Sequence, residues 1–120
     1  MEEEESKFNL EERTFQFALS TRQCIASHTW SRAQWRDIDQ ILRSSGSVAA
    51  NYVEADNAVS KPDFFYRIRV AKKECVETRL WLRLLGATTH DDAIKESLRS
   101  LYRESDELIR IFAAILRKAP

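Results

Sequence analysis

Apolar residues return every three or four positions along nearly the whole chain, the period of an α-helix with one buried stripe. Four such runs are separated by short polar breaks. The first runs from about residue 10 to 27. Asn9 is placed to cap it, Glu11 and Glu12 sit near the positive end of its dipole, and Phe8, Phe15, Ala18 and Ile25 recur at helical spacing. The second runs from about 32 to 58. Ser31-Arg32-Ala33-Gln34 reads as a capping box, and Trp35, Ile38, Leu42, Ser45, Ala49 and Tyr52 form its stripe. Gly46 within it is expected to admit a close neighbour. The third runs from about 61 to 85, with Ser60 as cap and Pro62 in the first turn, where a missing N–H does no harm. Its stripe is Phe64, Ile68, Ala71, Cys75, Thr78, Leu82 and Leu85, and Gly86 is expected to close it in a left-handed conformation. The fourth runs from about 91 to 118, with a start at Thr89-His90-Asp91-Asp92. Ile94, Leu98, Leu101, Ser105, Leu108, Phe112 and Ile115 repeat the 4-3 spacing. Four helices joined by short loops predict an all-α fold, an antiparallel up-down-up-down four-helix bundle over residues 9–120.

A bundle helix needs one apolar stripe, and three of these carry more. Val70, Trp81 and Leu84 lie off the core face of the third helix; Tyr102, Ile109 and Leu116 repeat at seven-residue spacing on the fourth; Ile41, Val48 and Ala55 do so on the second. A bundle has no central helix to hide a second stripe, so these residues predict contact between copies of the chain.

One face of the second helix is polar instead. Gln40, Arg43, Ser47, Asn51 and Glu54 follow each other at three- and four-residue steps, and Glu77 on the third helix can face them if the two pack antiparallel. Such a row suits a hydrogen-bonded register device or a ligand site.

Composition fits this picture. Hydrophobic residues make up 43% and charged residues 32%, with only two Gly and two Pro, which disfavours a turn-rich β fold. The formal charge is zero, but unevenly placed: six glutamates against Lys7 give residues 1–12 a net −5, and the rest carries +5. Residues 1–8 read as an acidic, flexible arm. Arg69, Lys72, Lys73, Arg79 and Arg83 share an arc of the third helix, a candidate contact for an RNA or DNA backbone, although an ordinary wet helix face carries the same pattern. Cys24 and Cys75 lack metal-site spacing, and neither His28 nor His90 follows a Glu by three, so no metal, cofactor or enzyme centre is expected. The Glu-rich start is unlike a signal peptide and no run is long enough to span a membrane, so a cytoplasmic location is expected.

The segment Gln40-Ile41-x-Arg43-x-x-x-Ser47-Val48-x-Ala50-Asn51-x-x-Glu54 resembles the signature of the four-helix-bundle proteins of the 23S ribosomal RNA intervening-sequence family. The resemblance continues through Phe64-Phe65-x-x-Ile68-x-Val70-Ala71-x-Lys73-Glu74-x-x-Glu77-Thr78-x-x-Trp81-Leu82-x-Leu84-Leu85. Ala49 stands where the family often has Pro, and Ala55 where it has Gly. The resemblance implies a bacterial bundle that assembles with itself, as a homopentamer, without an established activity. It also implies kinship with the basic accessory determinant of diversity-generating retroelements, which binds a reverse transcriptase and nucleic acid. The polar stripe coincides with the family motif.

Overall fold

Each helix boundary that the side chains describe is set by groups that fill open backbone donors or acceptors. The computed structural model describes the backbone of residues 2–120 and the side chains of residues 10–120. Ser31 opens α2 (Arg32–Asp56) with the expected capping box: its hydroxyl accepts from the Gln34 N–H, and the Gln34 side chain accepts from the Ser31 N–H. Ser60 caps α3 (Lys61–Ala87), and Asp91 caps α4 (Asp92–Leu116) by accepting from the Ile94 N–H. α1 (Glu2–Ala26) starts ahead of its expected beginning, so the backbone of Asn9 lies inside the helix and not at its cap. The flexible arm expected over residues 1–8, and the place of Phe8 in the stripe, lie outside the described side chains.

Gly86 does not end α3 in a left-handed turn. No described residue has a positive φ, and the helix continues to Ala87. The reason is local: the hydroxyls of Thr88 and Thr89 both bond to the Leu85 carbonyl, at 3.1 and 2.6 Å, and satisfy the helix end without glycine.

The helices pack in a ring. α2 lies against α1 and α3, and α4 lies against α3 and α1; among the described residues the backbones of the diagonal pairs stay more than 8 Å apart at Cα. The molecule measures 45 × 25 × 20 Å. Along the α2–α3 seam the partners run in opposite order, Gln34 with Thr88, Ser44 with Thr78 and Asn51 with Arg67. Among the described residues no helix is long and apolar enough to cross a membrane.

The inner stripes of α3 and α4 are those expected. Ile68, Ala71, Cys75, Thr78, Leu82 and Leu85 are buried, as are Leu98, Leu101, Ser105, Leu108 and Phe112, with Phe64, Ile94 and Ile115 packed at the ends. α1 and α2 differ. On α1 the buried set is Leu10, Thr14, Phe17, Thr21 and Cys24, with Ile25 beside it, while Phe15 is 53% exposed. Threonine belongs on this inner stripe because its hydroxyl bonds back to its own helix: Thr21 to the Phe17 carbonyl at 2.7 Å, Thr14 to that of Glu11 at 3.0 Å. On α2 the buried set is Ile38, Ile41, Ser45, Val48, Tyr52 and Ala55, a single 3-4 repeat, with Ser44 beside it. Ile41 and Val48 are fully buried and supply the core rather than a second face; Trp35, expected inside, is 43% exposed. The loop residue Trp30, absent from the predicted core, is buried and its indole N–H donates to the Ile25 carbonyl at 2.9 Å.

Gly46 does admit a close neighbour, but it is a side chain. Arg22 of α1 lays its guanidinium against it, with Nη2 3.0 Å from where a Cβ would stand, and donates to the Leu42 carbonyl at 3.0 Å. Cys75 donates its thiol to the Ser105 carbonyl at 3.4 Å across the α3–α4 seam. Burial pushes this thiol up to about 12, and Tyr52 is likewise pushed up to about 12, first by burial.

Two outcomes follow from this core. Phe112→Ala leaves a cavity between helices and is expected to cost about 3–5 kcal/mol in urea unfolding, whereas Phe15→Ala should change stability by no more than about 0.5 kcal/mol; equal losses would restore the originally expected α1 face. The Cys75 thiol stays protonated well above its ordinary 9.0, so its contribution is intact below pH 9 and is lost as pH rises towards 12. Unfolding curves across that range should fall less steeply for Cys75→Ala, and an identical slope would contradict the buried, protonated thiol.

Candidate functional site

The polar row of α2 meets α3 through a hydrophobic seam that leaves its polar positions along one edge. Arg43 is the centre. Its Nε donates to Gln40 Oε1 at 3.2 Å, Nη1 to Glu74 Oε2 at 3.1 Å and Nη2 to Glu77 Oε1 at 3.1 Å. One guanidinium therefore holds two carboxylates of the neighbouring helix, one turn apart, through separate nitrogens. Glu74 is the more enclosed partner, while Arg43 is half open to solvent. Just beneath, the Ser44 hydroxyl donates to the Gln40 carbonyl at 2.7 Å, and the Thr78 hydroxyl lies 2.7 Å from Ser44 Oγ and 2.8 Å from the Glu74 carbonyl.

The other half of the row forms a second, weaker link. Asn51 Nδ2 donates to Ser47 at the carbonyl, 2.9 Å, and at Oγ, 3.0 Å, while Asn51 Oδ1 accepts from Arg67 Nη1 at 3.4 Å. The Glu54 side chain is exposed and takes no hydrogen bond or ion pair among the described residues. Of the six predicted positions the structure thus joins Gln40, Arg43 and Glu77 in one cluster and Ser47 with Asn51 in another, and leaves Glu54 apart. The partners that sequence reasoning did not assign to the row are Glu74, Arg67, Ser44 and Thr78. Glu74 was legible in principle: it sits one turn before Glu77, and a guanidinium has donors for both.

Each charged group of the Arg43 cluster is matched by another, and no hydroxyl or thiol stands beside a base in a way that would make it a nucleophile. Among the described residues no group of three His, Cys, Asp or Glu is placed to hold a metal ion. His28 instead packs edge-on against Trp30, with ring centroids 4.8 Å apart, and His90 is exposed.

The remaining predicted residues divide by burial. Trp81 is half-buried against the core with its indole N–H enclosed and unbonded among the described residues. Val70, Tyr102 and Ile109 are half-buried, and Leu84 is 42% exposed. Of the cationic arc, Arg69, Lys73 and Arg83 are exposed and Lys72 is half-buried, while Arg79 is tied to Asp106 of α4 at 2.6 Å. Two exposed apolar residues of α3 lay outside the predicted sets, Val76 and Leu80, and they align with Leu84 at four-residue steps.

With this geometry in place, the chain was compared with known proteins. The family model described as 23S rRNA-intervening sequence protein matches residues 6–114. The chain belongs to that family. The matched span includes all of α2 and α3, so the Arg43 cluster lies inside the family's own segment. A crystal structure described as a protein with unknown function from the S23 ribosomal protein family of Bacteroides thetaiotaomicron is similar to it. The two share 28% sequence identity, and the match covers 91% of this chain and 99% of that one with a TM-score of 0.77. A comparison with curated proteins returned no match.

If the cluster is a latch between α2 and α3, Arg43→Ala should lower stability by about 1 kcal/mol without loss of helix content, because such pairs are partly exposed. Glu54→Ala, in the same motif, should change it by no more than about 0.5 kcal/mol. Urea titrations of both variants decide the matter: a larger loss at Glu54 would remove the latch.

Proposed function

We propose that this intervening-sequence-family chain is a non-enzymatic scaffold that works as a homo-oligomer in the cytoplasm, built as an antiparallel up-down-up-down bundle. The bundle reading is supported by the opposite order of partners along the α2–α3 seam. The observation that carries self-association is the strip Val76, Leu80 and Leu84, which are 39, 50 and 42% exposed on one outward line of α3. Exposed apolar residues scattered singly need no explanation, but a continuous line of them marks a contact surface.

A second copy suits this strip. The whole chain has zero formal charge, so copies do not repel each other at long range, and the acidic first twelve residues complement the cations Arg69, Lys73 and Arg83 that flank the strip. The family resemblance implies five copies. The non-enzymatic reading is supported by the Arg43 cluster, whose charges hold each other in place. A nucleic-acid role draws on fewer cations than the sequence offers, since Arg79 is committed to Asp106.

Light scattering is expected to give a mass near five chains. Leu80→Glu combined with Leu84→Glu should shift it to one chain with the circular dichroism unchanged. These positions serve better than Trp81→Glu, which would place a charge against the core. A monomeric native protein would end this reading.

A further inference from the structure

A second surface feature shares only Arg83 with the scaffold reading. Where α3 ends and α4 begins, the two helices leave a cleft of about 320 Å³ between them. Its rim carries three cations, Arg83, Lys95 and Arg99, together with Tyr102, and no carboxylate lines it. Its floor is apolar, formed by Leu82 and Leu98 beside Gly86. A Cβ placed on Gly86 would meet nothing within 4 Å, so the glycine is required neither by a turn nor by packing; what it does is leave the floor open.

The cations are available. Arg83 and Lys95 make no ion pair among the described residues. Arg99 approaches Glu96 at 3.6 Å, but Glu96 is held closer by Arg103, at 2.9 Å, and the hydrogen bond from Arg103 is the main reason its carboxyl titrates below the usual range. Asp91, at the start of α4, is committed to capping the Ile94 N–H. The larger hollow, about 480 Å³ between α1 and α4, differs in this respect: its lining also holds the carboxylates Glu104 and Glu107, Arg13 is bonded bidentately to Glu104 at 2.8 Å, and Arg103 is bonded to Glu96 at 2.9 Å. The excess of unpaired positive charge over an apolar floor belongs to the α3–α4 cleft alone among the clefts described.

We propose that this cleft binds a small organic phosphate of the nucleoside phosphate class. Three cations in a lining without a carboxylate, of which only Arg99 has an ion pair, with Glu96 at 3.6 Å, select an anion, and guanidinium groups suit phosphate oxygens best. An apolar floor beside a tyrosine ring selects a planar, weakly polar group attached to that anion. The volume lies at the small end of ligand pockets, enough for one nucleotide-sized molecule and too little for a large cofactor. Inorganic phosphate meets only the rim, and an uncharged aromatic meets only the floor.

The test is a titration of the full-length, isotope-labelled protein with ADP, followed by amide chemical shifts. Saturable shifts are expected within residues 82–87 and 95–102, with inorganic phosphate at least tenfold weaker. Gly86→Leu fills the open floor and should weaken ADP at least tenfold, about 1.4 kcal/mol. Its melting temperature should not fall, because a helix gains from replacing glycine. Lys95→Glu with Arg99→Glu should abolish binding while the mass of the particle stays that of the native protein. Absence of saturable shifts at millimolar ADP would overturn the proposal. So would shifts spread equally over Arg69 and Lys73, which would mean diffuse attraction to cations. Equal binding of ADP and inorganic phosphate, indifferent to Gly86→Leu, would overturn the assignment to a nucleoside phosphate.

Discussion

Everything else in the molecule depends on four apolar stripes meeting along one axis. The α2 stripe, Ile38 to Ala55, and the α3 stripe, Ile68 to Leu85, are the ones most fully closed on each other. Burial of such side chains is worth about 1.5–3 kcal/mol each and is the main stabilising term. The stripes are not purely apolar. Thr14, Thr21, Ser44, Ser45, Thr78 and Ser105 are inside, and their small size lets helix backbones approach closely. Most bond to a carbonyl of their own helix, which makes a buried hydroxyl tolerable.

Close approach then brings long polar side chains within reach of the neighbouring helix. Each of the four seams is crossed by at least one arginine: Arg13 to Glu104 between α1 and α4, Arg22 to the Leu42 carbonyl between α1 and α2, Arg43 to Glu74 and Glu77 between α2 and α3, and Arg79 to Asp106 between α3 and α4. Partly exposed pairs add little stability one by one. Their geometry is more demanding than their energy. A helix that slid by one residue would rotate its arginine by about 100° away from the partner, so the four crossings oppose a change of register that the apolar stripes alone would resist less sharply.

The sequence made the inner stripes of α3 and α4 legible because they keep strict 4-3 spacing with mostly aliphatic residues. It made α1 and α2 less legible for two different reasons. On α1 the inner positions 14 and 21 are threonines, and the more conspicuous Phe15 faces outward, so hydrophobicity alone selected the wrong face. On α2 a single 3-4 repeat was divided between two sets, because Trp35 and Leu42 extend the apolar surface beyond the core edge and Ile41 and Val48 were assigned to the excess. The latch at Arg43 was half legible: its spacing placed the right residues on one face, but which carboxylate each nitrogen would meet depends on how α3 is rotated. The α3–α4 cleft was not legible at all, since it arises from how two helices sit beside each other and from an absent side chain at Gly86.

The distribution of unmatched charge bears on where function can lie. The Arg43 cluster is the family-matched segment and also the place where polar groups satisfy one another, with Gln40, Glu74 and Glu77 all turned on one guanidinium. A ligand arriving there would have to replace bonds already made, and would gain little by doing so. The outer faces of α3 and of the first turns of α4 are the reverse case. Arg69, Lys73, Arg83 and Lys95 stand without ion pairs among the described residues, next to apolar side chains that the bundle leaves uncovered. A motif can therefore coincide with groups that satisfy one another across a seam, while the unpaired cations and uncovered apolar side chains stand elsewhere on the surface.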